Sequence, residues 1–191
     1  MRVEHEFILG GQKSGKSRRA EQRAAEWLAE APAMRRAVLI ATAQAHDDEM
    51  RERIVRHQAD RARRVPAMRT VEEPVELARA IVTQSSPDTL VVVDCLTLWL
   101  TNLLMPLRSE TAQPVTRTPA AHAAMLLMAL REARGPVVLV GNEIGLGVIP
   151  LGRETRAFVD ALGRMNQDVA AACDRVTLMA AGLPLTLKAP A

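Results

Sequence analysis

Short apolar runs alternate with longer helical patterns along most of the chain. The runs are rich in Val, Leu and Ile and show no polar alternation, which is typical of strands that are buried on both faces. They predict five strands, at 7–9, 37–41, 89–94, 136–140 and 175–180. Between them, apolar positions recur at helical spacing. They predict six helices, at 17–30, 47–63, 74–83, 97–104, 119–134 and 153–174.

Short buried strands separated by helices indicate an α/β fold with a mostly parallel sheet flanked by helices. The segment 183–188 follows Gly182 closely, so we expect an antiparallel hairpin strand at the C-terminal edge of the sheet. The stretch 105–119 contains three prolines among polar residues and predicts a mobile surface loop. Because no linker divides the chain, we expect a single nucleotide-binding domain over 1–191.

The phosphate-binding loop (P-loop) pattern G-x-x-x-x-G-K-[ST] is matched in full between the first strand and the first helix. Its residues are Gly10, Gly11, Gln12, Lys13, Ser14, Gly15, Lys16 and Ser17. Glycines let the backbone N–H groups curl around a phosphate. Lys16 is expected to reach the β- and γ-phosphates, and Ser17 to offer its hydroxyl to Mg²⁺. The pattern predicts a P-loop NTPase-like fold that binds ATP or GTP.

The third predicted strand ends in a carboxylate, Asp94. Such a carboxylate holds the magnesium ion in P-loop proteins, often through water. A helix cap is the alternative, since the next helix begins close behind it. With the P-loop present, we favour Asp94 and Ser17 as the metal-binding pair.

The helix predicted at 47–63 carries one histidine, His57, on the same stripe as Met50 and Ile54. This stripe faces inward or toward a cleft. An imidazole among arginines is a possible nucleophile toward phosphate, although a lone histidine is more often structural. At the next helix, Glu72 and Glu73 either bind ribose hydroxyls or serve as N-terminal helix charges.

Composition limits the remaining possibilities. The chain has 25 Lys and Arg against 22 Asp and Glu, and aromatic residues make up only 2%. A small base excess suits a polyphosphate ligand, and the scarcity of stacking side chains argues against single-stranded nucleic acid. Cys95 and Cys173 have no metal-ligand spacing. With no apparent signal peptide or membrane span, we expect a cytoplasmic protein.

Two further sequence blocks are distinctive. Asp47-Asp48-Glu49-Met50 leads to His57, and Asn142-Glu143-Ile144-Gly145 leads to Pro150. Together with the P-loop, these blocks resemble the bifunctional adenosylcobinamide kinase / adenosylcobinamide-phosphate guanylyltransferase family of cobalamin biosynthesis. The resemblance covers nearly the whole chain.

The resemblance implies that a nucleoside triphosphate first phosphorylates the aminopropanol hydroxyl of adenosylcobinamide. A histidine then takes GMP from GTP and passes it to the phosphorylated corrinoid, giving adenosylcobinamide-GDP. By position this histidine is His57, with Lys16 as the second catalytic residue. Ala41, Thr42 and Ala43, together with Glu72 or Glu73, are expected to hold the nucleoside. The resemblance further implies a homotrimer.

The sequence is also compatible with three other hypotheses. One is a different small-molecule kinase on the same fold, which would not need His57. Another is a nucleotide-gated binding module without turnover. The third is a nucleic-acid binder that uses the arginine-rich stretch 51–64, whose charge is largely offset by neighbouring acidic residues.

Overall fold

A computed structural model of the chain describes residues 4–45, 47–106, 115 and 117–190. It contains seven strands and six helices in that part of the chain. The strands are β1 (Glu6–Gly10), β2 (Arg36–Ala41), β3 (Met68–Glu72), β4 (Thr89–Asp94), β5 (Val137–Val140), β6 (Arg175–Ala180) and β7 (Leu183–Lys188). The helices are α1 (Lys16–Glu30), α2 (Asp48–Arg64), α3 (Leu77–Gln84), α4 (Leu96–Leu104), α5 (Pro119–Glu132) and α6 (Arg153–Ala172).

The seven strands form one sheet in the order β3-β2-β4-β5-β1-β6-β7. All neighbours pair in parallel except β6 and β7, which form the antiparallel edge predicted from the sequence. Alternate side chains of the central strands enter two apolar clusters, one on each face. Helix α1 packs on one face, and α3, α4, α5 and α6 pack on the other. The predicted α/β fold with a mostly parallel sheet is therefore confirmed.

The hydrophobic pattern does not predict β3. This strand lies at the edge of the sheet, and its central residues Arg69 and Thr70 are exposed. It therefore lacks the continuous apolar run that marks a strand buried on both faces. Helix α3 begins at Leu77, three residues later than predicted at 74. Most of the predicted loop at 105–119 lies outside the described residues.

The parallel register aligns the carboxyl ends of four strands with Ile8, two residues before the end of β1. Glu72 pairs with Ala41, Ala41 with Asp94, Asp94 with Val140, and Val140 with Ile8. Four strand spacings of about 4.8 Å make this row roughly 19 Å long. This is comparable with an extended nucleoside triphosphate. Ligands of open α/β sheets bind along this kind of edge.

His5, just before β1, ties several elements together at the opposite edge of the sheet. The backbone N–H of Val137 donates to its Nδ1 (3.2 Å), so Nε2 carries the proton and donates to the Leu130 carbonyl (2.8 Å). The backbone N–H of His5 donates to Asp174 (2.9 Å). Burial lowers the pKa of His5 below its ordinary 6.5, against the opposing effects of the Leu130 carbonyl and Asp174. The imidazole is thus held neutral by its surroundings.

We predict that this histidine makes the protein less stable in mild acid. Below pH 6.5 the unfolded chain binds a proton that the folded imidazole resists, so the free energy of unfolding falls with pH. One such group contributes at most about 1.4 kcal/mol per pH unit. Urea unfolding at pH 7.5 and 5.5 should show a larger loss for the wild type than for His5→Gln. Equal losses in the two proteins would contradict the prediction.

Candidate functional site: a phosphate-binding loop and an adjoining nucleotide cavity

The P-loop connects β1 to α1 and depends on glycine at its two ends. Gly10 has a φ of 154° and Gly15 a φ of 102°. A Cβ at Gly10 would lie 2.5 Å from the backbone carbonyl oxygen of Met179 in β6. The loop therefore passes so close to the neighbouring strand that only glycine fits. The N–H of Gly182 also donates to the Ser14 carbonyl (3.0 Å), which anchors the loop to the β6–β7 turn.

The N-terminus of α1 faces the loop, and no acidic side chain neutralises the positive end of its helix dipole. Gly15 is the N-cap, no side chain caps the helix, and the first turn contains no acidic residue. Free N–H groups at a helix N-terminus attract anions. This end of α1 is therefore arranged to hold a phosphate.

Lys16 is buried beneath the loop, where its ammonium donates to the Gly11 carbonyl (2.6 Å). Burial lowers the pKa of Lys16, and the positive charge of Arg53 lowers it further. Cys95 and Asp94 act in the opposite direction and raise it. Asp94 and Arg53 therefore both lie within electrostatic reach of the P-loop lysine. A phosphate placed here would meet at least two cationic side chains.

A cavity of about 430 Å³ opens at the carboxyl ends of β2, β3 and β4, beside the P-loop. We call it the nucleotide cavity. It brings together residues that are far apart in the sequence. Among the predicted site residues, Ser17, Ala41, Ala43, His57, Glu72 and Asp94 all line it.

Ser17 and Asp94 form the donor set that was predicted for magnesium. Both side chains border the nucleotide cavity, and the described residues contain no group of three or more His, Cys, Asp or Glu side chains that would hold a metal by themselves. Mg²⁺ characteristically takes one or two protein oxygens and completes its shell with water and substrate phosphates. A hydroxyl and a carboxylate beside a phosphate site fit that preference.

The two adjacent glutamates have different surroundings. Glu73 accepts hydrogen bonds from the backbone N–H groups of Val75 (3.0 Å) and Glu76 (2.9 Å), so it serves the turn into α3. Glu72 is exposed and lines the nucleotide cavity. Glu72 therefore faces the nucleotide cavity, whereas the carboxylate of Glu73 is already hydrogen-bonded within a turn.

Thr42 lies next to the nucleotide cavity but is fully buried. Its hydroxyl donates to the Cys95 carbonyl (2.8 Å) and accepts from the Cys95 N–H (2.9 Å). Its side chain thus joins the ends of β2 and β4, and only its neighbours Ala41 and Ala43 line the cavity.

Two contributors were not assigned a site role from the sequence. The buried Asn102 donates to the carbonyls of Thr42 (2.8 Å) and Pro74 (3.0 Å), which fixes two walls of the nucleotide cavity relative to each other. Arg53, one of the arginines near His57 to which the sequence analysis gives no role of its own, lines the nucleotide cavity. It stands four residues before His57, one helical turn away on the same helix face. This spacing is the sequence feature that could have identified Arg53 as a site residue.

His57 is exposed toward the nucleotide cavity together with Met50 and Ile54, as the helical stripe predicts. The helix that carries it is lightly anchored. Arg61 is the one buried residue of α2; it donates to the Thr70 hydroxyl (3.1 Å), and Arg64 pairs with Glu21 (2.7 Å). His57 therefore stands on a surface helix that faces the same cavity as Ser17 and Asp94.

Fold and site together define a P-loop nucleotide-binding enzyme. The similarity to the crystal structure of the flagellar accessory protein FlaH from Methanocaldococcus jannaschii supports this fold. Its TM-score is 0.50 at 10% sequence identity, and it covers 98% of this chain and 79% of that chain.

The chain belongs to the cobinamide kinase / cobinamide phosphate guanyltransferase family, whose model matches residues 6–187. It is 46% identical to the bifunctional adenosylcobalamin biosynthesis protein CobP of Pseudomonas aeruginosa, over 96% of each chain. It is 36% identical to the bifunctional adenosylcobalamin biosynthesis protein CobU of Salmonella typhimurium, over 95% of this chain and 98% of that one. The family resemblance and the predicted enzyme class, a kinase combined with a guanylyltransferase, are confirmed.

No helix among the described residues has both the length and the apolar character needed to cross a membrane.

We predict that Gly10→Ala damages the P-loop whereas Gly11→Ala leaves it intact. The added Cβ at Gly10 would meet the Met179 carbonyl, but at Gly11 it meets nothing within 4 Å. Gly10→Ala should lower the free energy of unfolding by roughly 1–3 kcal/mol and weaken GTP binding. Chemical denaturation and equilibrium GTP binding on both variants test this, and equal effects of the two substitutions would contradict it.

Proposed function

We propose that this protein phosphorylates adenosylcobinamide with ATP or GTP and then transfers GMP from GTP to the product, giving adenosylcobinamide-GDP. The observation that carries this proposal is the convergence of His57, Ser17 and Asp94 on one cavity beside the P-loop. A kinase alone would not need a histidine at that place. Family membership and the names of the relatives support the two activities and their substrates.

In the proposed kinase step, the P-loop holds the triphosphate. The hydroxyl oxygen of the acceptor attacks the γ-phosphorus, and the bond from that phosphorus to the bridging oxygen breaks. The nucleoside diphosphate leaves and the hydroxyl proton passes to water. Lys16 and the N-terminus of α1 stabilise the charge that develops on the phosphates. Magnesium, held by Ser17 and Asp94, would supply further charge neutralisation.

In the proposed transferase step, an imidazole nitrogen of His57 attacks the α-phosphorus of GTP. A nitrogen–phosphorus bond forms, the bond to the bridging oxygen breaks, and pyrophosphate leaves. A phosphate oxygen of the phosphorylated corrinoid then attacks the same phosphorus. The imidazole leaves and is restored for the next cycle. Arg53, one turn away on the same helix face, is placed to stabilise the departing pyrophosphate.

We assign nucleoside binding to the far end of the nucleotide cavity. The aligned strand ends run from the P-loop at β1 to Glu72 at β3, over a span that suits an extended nucleotide. In this assignment Glu72 accepts hydrogen bonds from ribose or base; its position in the lining of the nucleotide cavity, with Ala41 and Ala43 on the intervening wall, supports this role. Thr42 and Glu73 support this wall through their backbone contacts.

We further propose that the chain acts as one domain within a homotrimer in the cytoplasm. One continuous sheet supports the single domain.

Exposed apolar side chains, such as Val148 (97% exposed) and Leu151 (96%), provide surface for subunit contacts in the proposed trimer. Cys95 and Cys173 are buried free thiols, which suits a reducing compartment. The native mass should equal three chains.

The test of the two-step function is His57→Asn, assayed with Mg²⁺, nucleoside triphosphate and adenosylcobinamide. Because His57 acts only in the second step, this variant should accumulate phosphorylated corrinoid at the wild-type rate and form no adenosylcobinamide-GDP. Chromatographic separation of the corrinoid products gives both rates. Formation of adenosylcobinamide-GDP by the variant would contradict the proposal.

One bound triphosphate must present its γ-phosphate to the acceptor and its α-phosphate to His57. We therefore propose that α2 moves between the two steps, which its light anchoring through Arg61 and Arg64 supports. Amide hydrogen exchange over 48–64 should change on addition of GTP, while exchange in α5 should not. Unchanged exchange over 48–64 in the GTP-bound protein would contradict the movement.

A further inference from the structure

A second cavity, of about 670 Å³, lies on the other side of the P-loop strand. We call it the α6 cleft. Its lining comes from β1, the 143–146 segment, α6, β6 and β7: Leu9, Glu143, Gly145, Leu146, Gly163, Asn166, Gln167, Ala170, Ala171, Val176, Leu187 and Lys188. In the strand order, β1 separates the β6 and β7 residues of this lining from β2, β3 and β4, which border the nucleotide cavity. The two cavities therefore flank the phosphate site.

Asn166, one of the residues that line the α6 cleft, has an amide oxygen without a hydrogen-bond partner among the described residues. This side chain is only 5% exposed, and its Nδ2 donates to the Asn142 carbonyl (3.1 Å). That bond fixes the orientation of the amide. The Oδ1 atom is buried and has no hydrogen-bond partner among the described residues. Since buried polar atoms are normally paired, this oxygen is suited to a ligand that brings an N–H or O–H group.

The charges in the α6 cleft argue against a second phosphate site. The ammonium of Lys188 already donates to the carbonyls of Ala170 (3.1 Å), Ala171 (3.1 Å) and Cys173 (2.5 Å) at the end of α6. The carboxylate of Glu143 accepts from the Gly145 N–H (2.7 Å). The lining thus offers acceptors and apolar surface, whereas its cation is engaged. This combination suits a ligand that is uncharged where it contacts the cleft.

The α6 cleft reaches the P-loop directly. Leu9 immediately precedes the first P-loop glycine, and the Glu143 N–H donates to the Gly10 carbonyl (3.1 Å). A ligand in the α6 cleft is therefore adjacent to the bound triphosphate, on the side away from the nucleoside. At the mouth, Leu146 (82% exposed) and Leu187 (55%) present apolar surface. They would contact any part of a large ligand that extends beyond the cleft.

We propose that the α6 cleft binds the corrinoid acceptor, a macrocycle with apolar edges and peripheral carboxamides. A carboxamide N–H donates to Asn166 Oδ1, the apolar edge rests on Leu146 and Leu187, and the aminopropanol hydroxyl points to the P-loop. The identity of this ligand rests on the proposed function. The location of its site rests on the cavity and on the unpaired amide oxygen.

The test fills the α6 cleft from helix α6. A Cβ added at Gly163 meets nothing within 4 Å, so Gly163→Leu extends into open space and replaces a helical glycine with a better helix former. Gly163→Ala is the matched control that adds only a methyl group. We expect Gly163→Leu to weaken equilibrium binding of adenosylcobinamide at least tenfold, and Gly163→Ala to change it less than threefold. The histidyl-GMP adduct formed with GTP alone should be unchanged in both.

A second pair of variants guards against misfolding at Gly163. Gln167 is exposed at the α6 cleft, so Gln167→Trp obstructs it without disturbing the core. Asp168→Trp places the same side chain at the next exposed position, which does not line the α6 cleft. Only Gln167→Trp should weaken adenosylcobinamide binding.

Adenosylcobinamide binding at wild-type strength in both Gly163→Leu and Gln167→Trp would overturn this proposal while leaving the proposed function intact. Loss of the trimer mass in these variants would also overturn it, because the α6 cleft would then be a contact with a second copy of the chain. A wild-type protein that forms no histidyl-GMP and phosphorylates no corrinoid would overturn the proposed function itself.

Discussion

Parallel backbone pairing between β3, β2, β4, β5 and β1 sets the position of the strand residues at the nucleotide site. The hydrogen-bonded register places Glu72, Ala41, Asp94 and Ile8, which lies two residues before the P-loop, in one row across the sheet. No side-chain contact is needed to bring these residues together. Thr42 and Asn102 then hold the loops that leave the row, through hydrogen bonds to backbone atoms of neighbouring segments. The fixed part of the site is therefore built from backbone geometry and buried polar pairs.

His57 belongs to a different part of the structure. It stands on α2, a helix of 17 residues whose one buried side chain is that of Arg61. Gly10 packs closely against β6, whereas the proposed nucleophile is attached to an element with few anchors. The proposed mechanism uses this difference: the P-loop keeps its place beside β6 in both transfer reactions, and the movement proposed for α2 brings His57 to the α-phosphate or away from it.

The parts that the sequence predicts are those that depend on local pattern. The P-loop is recognisable because its glycines and Lys16 stand at fixed spacing within one short segment. The buried strands are recognisable because they are continuously apolar. The spacing of His57 from Met50 and Ile54 predicts a stripe that faces inward or toward a cleft, and all three residues line the nucleotide cavity. Strand β3 was missed because an edge strand carries exposed polar residues.

The remaining details depend on long-range contacts that no local pattern encodes. Glu72 and Glu73 are adjacent residues of the same type. The turn into α3 engages the carboxylate of Glu73 in hydrogen bonds and leaves Glu72 facing the nucleotide cavity. The unpaired oxygen of Asn166 arises because α6 packs beside the loop that contains Asn142. Neither feature follows from spacing along the chain.

The most direct test of this account is the intact mass of the protein after incubation with Mg²⁺ and GTP and an alkaline quench, with His57→Asn measured in parallel. The account predicts a gain of one GMP that survives alkali, is lost in acid and is absent from the variant. A wild-type protein that binds GTP and shows no gain in mass would contradict the histidyl intermediate, and with it the role assigned to His57.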